Sequence, residues 1–167
     1  MIAVRFSKVV IAAGIALFAF LAALGNVTDY GSNWNFVQHV LAMDTIFPDS
    51  TLRWRAITDP RLQALAYGAI IGVEFLTCLA FAAASLAMAR ALRAPTLEFQ
   101  RAKNFVAWGV MLGFGLWFIG FMAIGGEWFA MWQSKSWNGQ NAAFAFTMVI
   151  VAAGIYILLE DDAAPDR

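Results

Sequence analysis

The sequence predicts an all-α polytopic membrane protein: four transmembrane helices with a small folded outward cap that contains short amphipathic helices. Two observations carry this. Of the 167 residues, 62% are hydrophobic and 13% charged, and the mean hydropathy is +0.69. A soluble domain is about 45–50% apolar and about 25% charged, and a chain this short cannot hide such an apolar excess in a water-soluble core. The apolar residues also fall into four runs long enough to cross a bilayer, which takes about 20 residues at about 1.5 Å each.

The first run, Val9 to Thr28, lies between Lys8 and Asp29. Basic residues before an apolar stretch also describe a signal peptide. No small-x-small cleavage site follows Leu21-Ala22-Ala23-Leu24, so a retained helix is expected. The second run, Leu62 to Ala89, is bounded by Arg61 and Arg90 and interrupted only by Glu74. The third, Asn104 to Gly126, lies between Lys103 and Glu127. The fourth follows Lys135 and ends at Glu160, with its helix expected over 140–159. None alternates with the period of two that a barrel strand needs. No linker or repeat divides the chain, so a single domain over 1–167 is expected.

Basic residues near span ends mark the cytoplasmic side. Arg5, Lys8, Arg90, Arg93, Arg101, Lys103 and Arg167 fall on one side, and Arg53, Arg55, Arg61 and Lys135 on the other. Both termini and the Arg90–Lys103 loop are therefore expected in the cytoplasm, with the chain multi-pass in a bacterial inner membrane. The acidic Glu160-Asp161-Asp162 weighs little in this rule. Trp34, Trp54, Trp128, Trp132 and Trp137 gather in or beside the two outward segments, as an aromatic belt at headgroup level does.

In the outward segment Gly25–Pro60, Phe36, Val37, Val40 and Leu41 recur on one helical face. This predicts an amphipathic helix over Trp34–Met43, capped by Ser32 or Asn33. Asp49 or Ser50 is expected to cap a second short helix through Trp54 to Ile57. Asp59-Pro60 reads as a cap followed by proline at the first helical position. Beyond the third span, Trp128, Met131 and Trp132 are expected on one helical face, and Asn138-Gly139 as a turn. Gly109-xxx-Gly113, then Gly115 and Gly120, and Gly68-xxx-Gly72 offer close helix packing.

Chemistry is sparse. Eleven basic residues balance eleven acidic ones, which argues against a nucleic-acid partner. Cys78 is the only cysteine, so no intrachain disulfide and no Cys-pair redox motif can form. Paired axial ligands for haem, clustered metal ligands and a Ser/His/Asp arrangement are missing, so no enzyme, no metal site and no cofactor is predicted. Glu74 is the exception. It lies about 18 Å below the outward start of its helix, and an acid at that depth marks a pathway or ligand contact by default. No cation in another span neutralises it. It is expected to be protonated or hydrogen-bonded to a buried group such as Tyr156, Trp117 or Tyr67, the last on its own helical face. The plainer role is an interhelical bond that fixes register; the sharper one is a proton, cation or quinone site. His39, Asp29, Asp44, Arg53, Arg55, Glu127, Trp128 and Trp132 are the other candidates for a ligand or partner surface, all in the cap.

Asn26-Val27-Thr28-Asp29-Tyr30-Gly31-Ser32-Asn33, Val37-Gln38-His39-Val40-Leu41-Ala42-Met43-Asp44-Thr45 and Trp54-Arg55-Ala56-Ile57 resemble a bacterial family of predicted small integral membrane proteins of unknown function. Gly125-Gly126-Glu127-Trp128-Phe129-Ala130-Met131-Trp132-Gln133 and Trp137-Asn138-Gly139-Gln140 look like the same family. The resemblance implies a four-helix inner-membrane protein with no activity to carry over. The leading expectation is an accessory or assembly subunit, associating with other membrane proteins or with itself. The alternative is a binding protein for a quinone, lipid or proton at Glu74. A membrane enzyme is a weak third.

Overall fold

Helix α1 runs from Ile2 to Thr28 without a break. The structure, a computed structural model, describes residues 2–161; Asp162 of the acidic tail and Arg167 of the orientation argument lie outside the described residues. Along α1 the buried positions are Arg5, Lys8, Val9, Ala12, Ile15, Ala16, Ala19, Ala23 and Asn26. They form one stripe at helical spacing, mostly alanine in its middle. Small side chains let backbones approach where water supplies no drive for association, and α1 lies chiefly against α3 (Pro60–Arg90).

Helix α3 begins as the sequence predicts. Asp59 Oδ1 accepts the Arg61 N–H at 2.8 Å, and Pro60 takes the first helical position. Its buried face is Gln63, Tyr67, Glu74, Thr77, Phe81, Ala84 and Met88. At the end of the bundle opposite the cap, Pro95 starts a short helix, α4 (Thr96–Ala102), and α5 (Asn104–Phe114) follows after Lys103. The helix then widens into a π-helix over Gly115–Trp128, in which each N–H reaches the carbonyl five residues back. Gly115, Gly120 and Gly125 stack along it: a Cβ on Gly120 would lie 3.6 Å from the Gly115 carbonyl, and one on Gly125 3.5 Å from that of Gly120. The last span, α6 (Gln140–Leu158), starts behind Asn138, whose Oδ1 accepts the Gln140 N–H at 3.0 Å. Four helical segments, Ile2–Thr28, Pro60–Arg90, Thr96–Trp128 and Gln140–Leu158, are long and apolar enough to cross a membrane. No strand occurs among the described residues.

The glycine expectation divides. Gly109 meets the Phe81 ring and Gly113 meets Ile150, so α5 does pack closely on α3 and α6. Gly68, Gly72 and Gly115 have no neighbour within 4 Å of a would-be Cβ, and the Gly68/Gly72 face of α3 is unpacked within the chain.

The cap is folded, with corrections to its detail. Helix α2 spans Tyr30–Ala42, so it starts four residues before Trp34. Asp29, not Ser32 or Asn33, occupies its N-cap position, and no side chain bonds there. Val37 and Leu41 are buried as expected. The second helix shrinks to one 3-10 turn, Arg53–Arg55, because Arg53 is drawn to the carbonyls of Met43, Ile46 and Phe47. Trp128, Met131 and Trp132 do not share a face. The π-helix ends at Trp128, Ala130 turns the chain with φ 52°, and Met131 is buried while both tryptophans stay about half exposed. The two cap segments are joined by Thr45 Oγ1 to Ser134 Oγ (2.8 Å) and by the Phe47 N–H to Gln133 Oε1 (3.2 Å).

Candidate functional site

Glu74 lies on the buried face of α3 seven residues after Tyr67, and the partner waiting for it is on α1. The Asn26 side-chain amide donates to Glu74 Oε2 at 2.7 Å. Asn26 in turn accepts from Tyr67: the Tyr67 hydroxyl lies 3.0 Å from the Asn26 backbone carbonyl and 3.3 Å from its Oδ1. Glu74 is 5% exposed, Asn26 9% and Tyr67 1%. The partner is therefore Asn26, a correction to the three named from sequence. Tyr67 joins through Asn26, the Tyr156 hydroxyl pairs with Ser7 at 2.7 Å, and Trp117 packs nearby without bonding the acid. Asn26 won because it ends the buried stripe of α1 at the level of Glu74. That stripe is legible in the sequence as Ala12, Ala16, Ala19, Ala23, Asn26.

The chain is not sealed around this group. A cavity of about 230 Å³ reaches Glu74, Asn26 and Tyr67. Its remaining wall is largely aromatic: Phe18 from α1, Phe36 from α2, Trp117 and Phe121 from the π-helix and Phe146 from α6. Glu74 Oε1 takes no hydrogen bond from any described residue, and no Lys, Arg or His among the described residues lines the cavity. Glu74, with Asn26, Tyr67 and Asn33 beside it, sets a small polar group in a mainly apolar wall, the general form of a small-molecule site. A second, apolar cavity of about 310 Å³ lies under α2 and shares Phe36, Val37, Ile70 and Phe121 with the first.

The remaining candidates do not converge on Glu74. His39 Nδ1 lies 2.7 Å from Asp44 Oδ2, and its ring stacks on Trp137 at 4.6 Å and 13°. Arg55 donates to the Trp128 carbonyl at 3.2 Å and lies 4.6 Å from the Trp128 ring and 5.4 Å from that of Trp54. Trp132 meets Phe47 edge-on at 5.7 Å. Asp29 and Glu127 are exposed. These residues hold the cap together and present its aromatic rim.

A polar cluster that sequence reasoning missed closes the end of the bundle opposite the cap. Lys8 and Lys103, each 2% exposed, converge on Asp161 and on the Leu159 carbonyl. Arg5 donates to the carbonyls of Leu92 and Ala94 and to Thr96 Oγ1. Burial raises the Asp161 pKa, but the hydrogen bonds from Lys103 and Lys8 outweigh it, so the carboxyl is held below its usual range. This lock ties the end of α6 to α1 and α5.

The model of one family, described as predicted small integral membrane protein (DUF2165), matches residues 4–160. No curated protein and no solved structure matches the chain. The match spans nearly all of the sequence, so the chain belongs to that family and is an integral membrane protein with several apolar helices.

Proposed function

We propose that this chain binds a small lipophilic molecule within the membrane, with Glu74 as the polar anchor, and acts as a binding protein rather than an enzyme. The observation that carries the reading is the cavity at Glu74. An acid kept only to fix helix register is better served by a packed core, because a partly satisfied buried polar group is costly. Here Asn26 engages one carboxyl oxygen and the other faces open space beside aromatic side chains. Quinones and lipids match such a chamber better than a bare proton path, since the wall offers ring faces and no chain of titratable groups.

The test is native mass spectrometry of the chain extracted from its own membranes in mild detergent. A bound small molecule is expected on the wild type, lost in Glu74→Leu and kept in Glu74→Gln, which still bonds both ways. An empty wild type, or equal occupancy in Glu74→Leu, refutes the reading.

A second reading has its own observation. The Gly68/Gly72 face of α3 is open, and such faces associate with other helices in lipid. It supports an accessory or assembly subunit bound to a larger membrane complex, or self-association. Leucine at both glycines would then dissociate a complex that co-purifies with the wild type, and no change in complex size would count against it. We further propose a bacterial inner-membrane location with both termini cytoplasmic. The support is that Arg5, Lys8, Arg90, Arg93, Arg101 and Lys103 share one end of the bundle. Reporter insertions near Arg93 and near Ser50 should report opposite sides, cytoplasmic for the first.

A further inference from the structure

The Glu74 chamber has a neighbour on the membrane face of the bundle. An apolar groove of about 430 Å³ runs between α1 and α6, lined by Ile11, Gly14, Ile15 and Val149 among others, and by Phe18 and Phe146. Those two phenylalanines also line the Glu74 chamber. With Trp117 they form a triad of rings, 4.7 Å from Phe18 to Phe146, 5.6 Å from Phe18 to Trp117 and 5.9 Å from Trp117 to Phe146. Phe18 and Phe146 thus form part of both walls. Nothing lies within 4 Å of a would-be Cβ on Gly14, so the floor of the groove there is bare helix.

We infer that the ligand is an uncharged, single-chain lipid alcohol that enters sideways from the bilayer, its hydroxyl at Glu74 and its chain in the groove between α1 and α6. The inference rests on the proposed reading of the Glu74 cavity as a ligand site. The head group follows from the anchor. Asn26 spends its amide on Glu74 Oε2, so Oε1 is what a ligand meets. A hydroxyl both donates and accepts, and so satisfies Oε1 whether the acid is protonated or ionised. An anionic head finds no cation in the lining, and a cationic head carries its own desolvation cost to this depth. The chain follows from the groove, which opens to the acyl region of the bilayer. The cavity under α2 is the rival seat, but Val40, Leu41 and Met131 of the cap line it.

The experiment uses the full chain in lipid nanodiscs and a monoacylglycerol with a photoreactive diazirine in its acyl chain. After illumination, label is expected on Ile11, Val149 or Ala153 above that on the lipid-facing Leu65 and Leu79. It should fall about five-fold in Glu74→Leu, the ratio one lost hydrogen bond gives, and persist in Glu74→Gln. Gly14→Phe projects a ring from a groove position where a Cβ meets nothing within 4 Å and should abolish the label, and Val149→Trp is an independent block. A fatty acid with the same diazirine should show no dependence on Glu74. Label concentrated on Val40, Leu41 or Met131, or groove label indifferent to both Glu74→Leu and Gly14→Phe, overturns the inference. If a natural ligand still depends on Glu74 by mass spectrometry while the groove stays unlabelled, the inference falls and the proposed function stands. If neither depends on Glu74, both fall.

Discussion

Changing Asp161 to asparagine removes the carboxylate that, among the described residues, two buried ammoniums share. Lys8 and Lys103 are each 2% exposed and Asp161 6%, so solvent screening relieves little. Breaking a buried ion pair from one side costs about 3–5 kcal/mol. The Leu159 carbonyl still accepts from both lysines at 2.7 Å, which sets the expected loss at the low end, about 3 kcal/mol. At about 2–4 °C per kcal/mol for a chain of this size, the unfolding midpoint should drop by roughly 6–12 °C. The assay is tryptophan fluorescence on heating in mild detergent, with gel filtration to confirm the fold beforehand. Adding Lys103→Met removes one stranded charge, so the double variant should be more stable than Asp161→Asn alone, with a coupling of at least about 1 kcal/mol. The pH dependence has a defined sign. The carboxyl is held lower in the folded chain, so its contribution is present above the ordinary carboxylate range and lost as the pH falls through the folded value. The wild type should therefore lose stability on acidification where Asp161→Asn does not. A midpoint for Asp161→Asn within about 1 °C of wild type, equivalent to under about 0.5 kcal/mol, would refute the reasoning, as would additivity in the double variant.

Gly109→Val should cost about 1–3 kcal/mol by overpacking, since its Cβ would lie 2.7 Å from the buried Phe81 ring; Gly68→Ala, facing open space, should be neutral or stabilising by up to about 1 kcal/mol, and midpoints in detergent compare the two. Asn26→Leu strips Glu74 Oε2 of its donor and should cost about 1–3 kcal/mol. Tyr67→Phe leaves that bond intact and should cost about 1 kcal/mol or less by the same measurement. Arg55→Ala removes two cation–π contacts worth about 0.5–1 kcal/mol each and the bond to the Trp128 carbonyl. Acrylamide should then quench Trp54 and Trp128 more readily, and an unchanged quenching curve would show that Arg55 does not order the cap.

Much of the fold is legible because lipid imposes one rule on every span. Charge-free length marks the four helices, and the start of α3 at Pro60 follows from the Asp59 cap. What misleads is the assumption that a charge ends a span at the interface. Arg5, Lys8 and Lys103 lie buried, because the loop 91–95 and the end of α6 fold back and supply carbonyls and a carboxylate. Their spacing from Ala12 and Ala19 on the α1 stripe is the signal that could have revealed the first two. The π-helix leaves a signal too: Gly115, Gly120 and Gly125 repeat at five, a period no α-helical reading seeks. Asn26 was visible as a residue but not as the partner of Glu74, since pairing across 48 positions depends on how far α1 slides along α3. The end of the third span misled for a related reason. Trp128, Met131 and Trp132 fit one helical face only if the helix continues, and Ala130 in the left-handed region stops it.

Among the described residues two carboxyls are buried in opposite ways, and the contrast supports the proposed site at Glu74. At the end opposite the cap both Asp161 oxygens lie on lysine ammoniums, Oδ1 at 3.1 Å. That group is spent on holding helices together. Glu74 has one donor, from Asn26, and an oxygen left facing a chamber of about 230 Å³. Phe18, Trp117, Phe121 and Phe146 line the space, which protein interiors normally fill. Along the π-helix Trp117 lines the chamber, Leu116 and Gly125 line the cavity under α2, and Phe121 lines both. Single π-turns are frequent at functional sites; this one runs for 14 residues. A widened helix, an acid with a free oxygen and an aromatic lining meet at one level of the bundle. Structural need explains each singly, and their meeting is what the proposed ligand site accounts for.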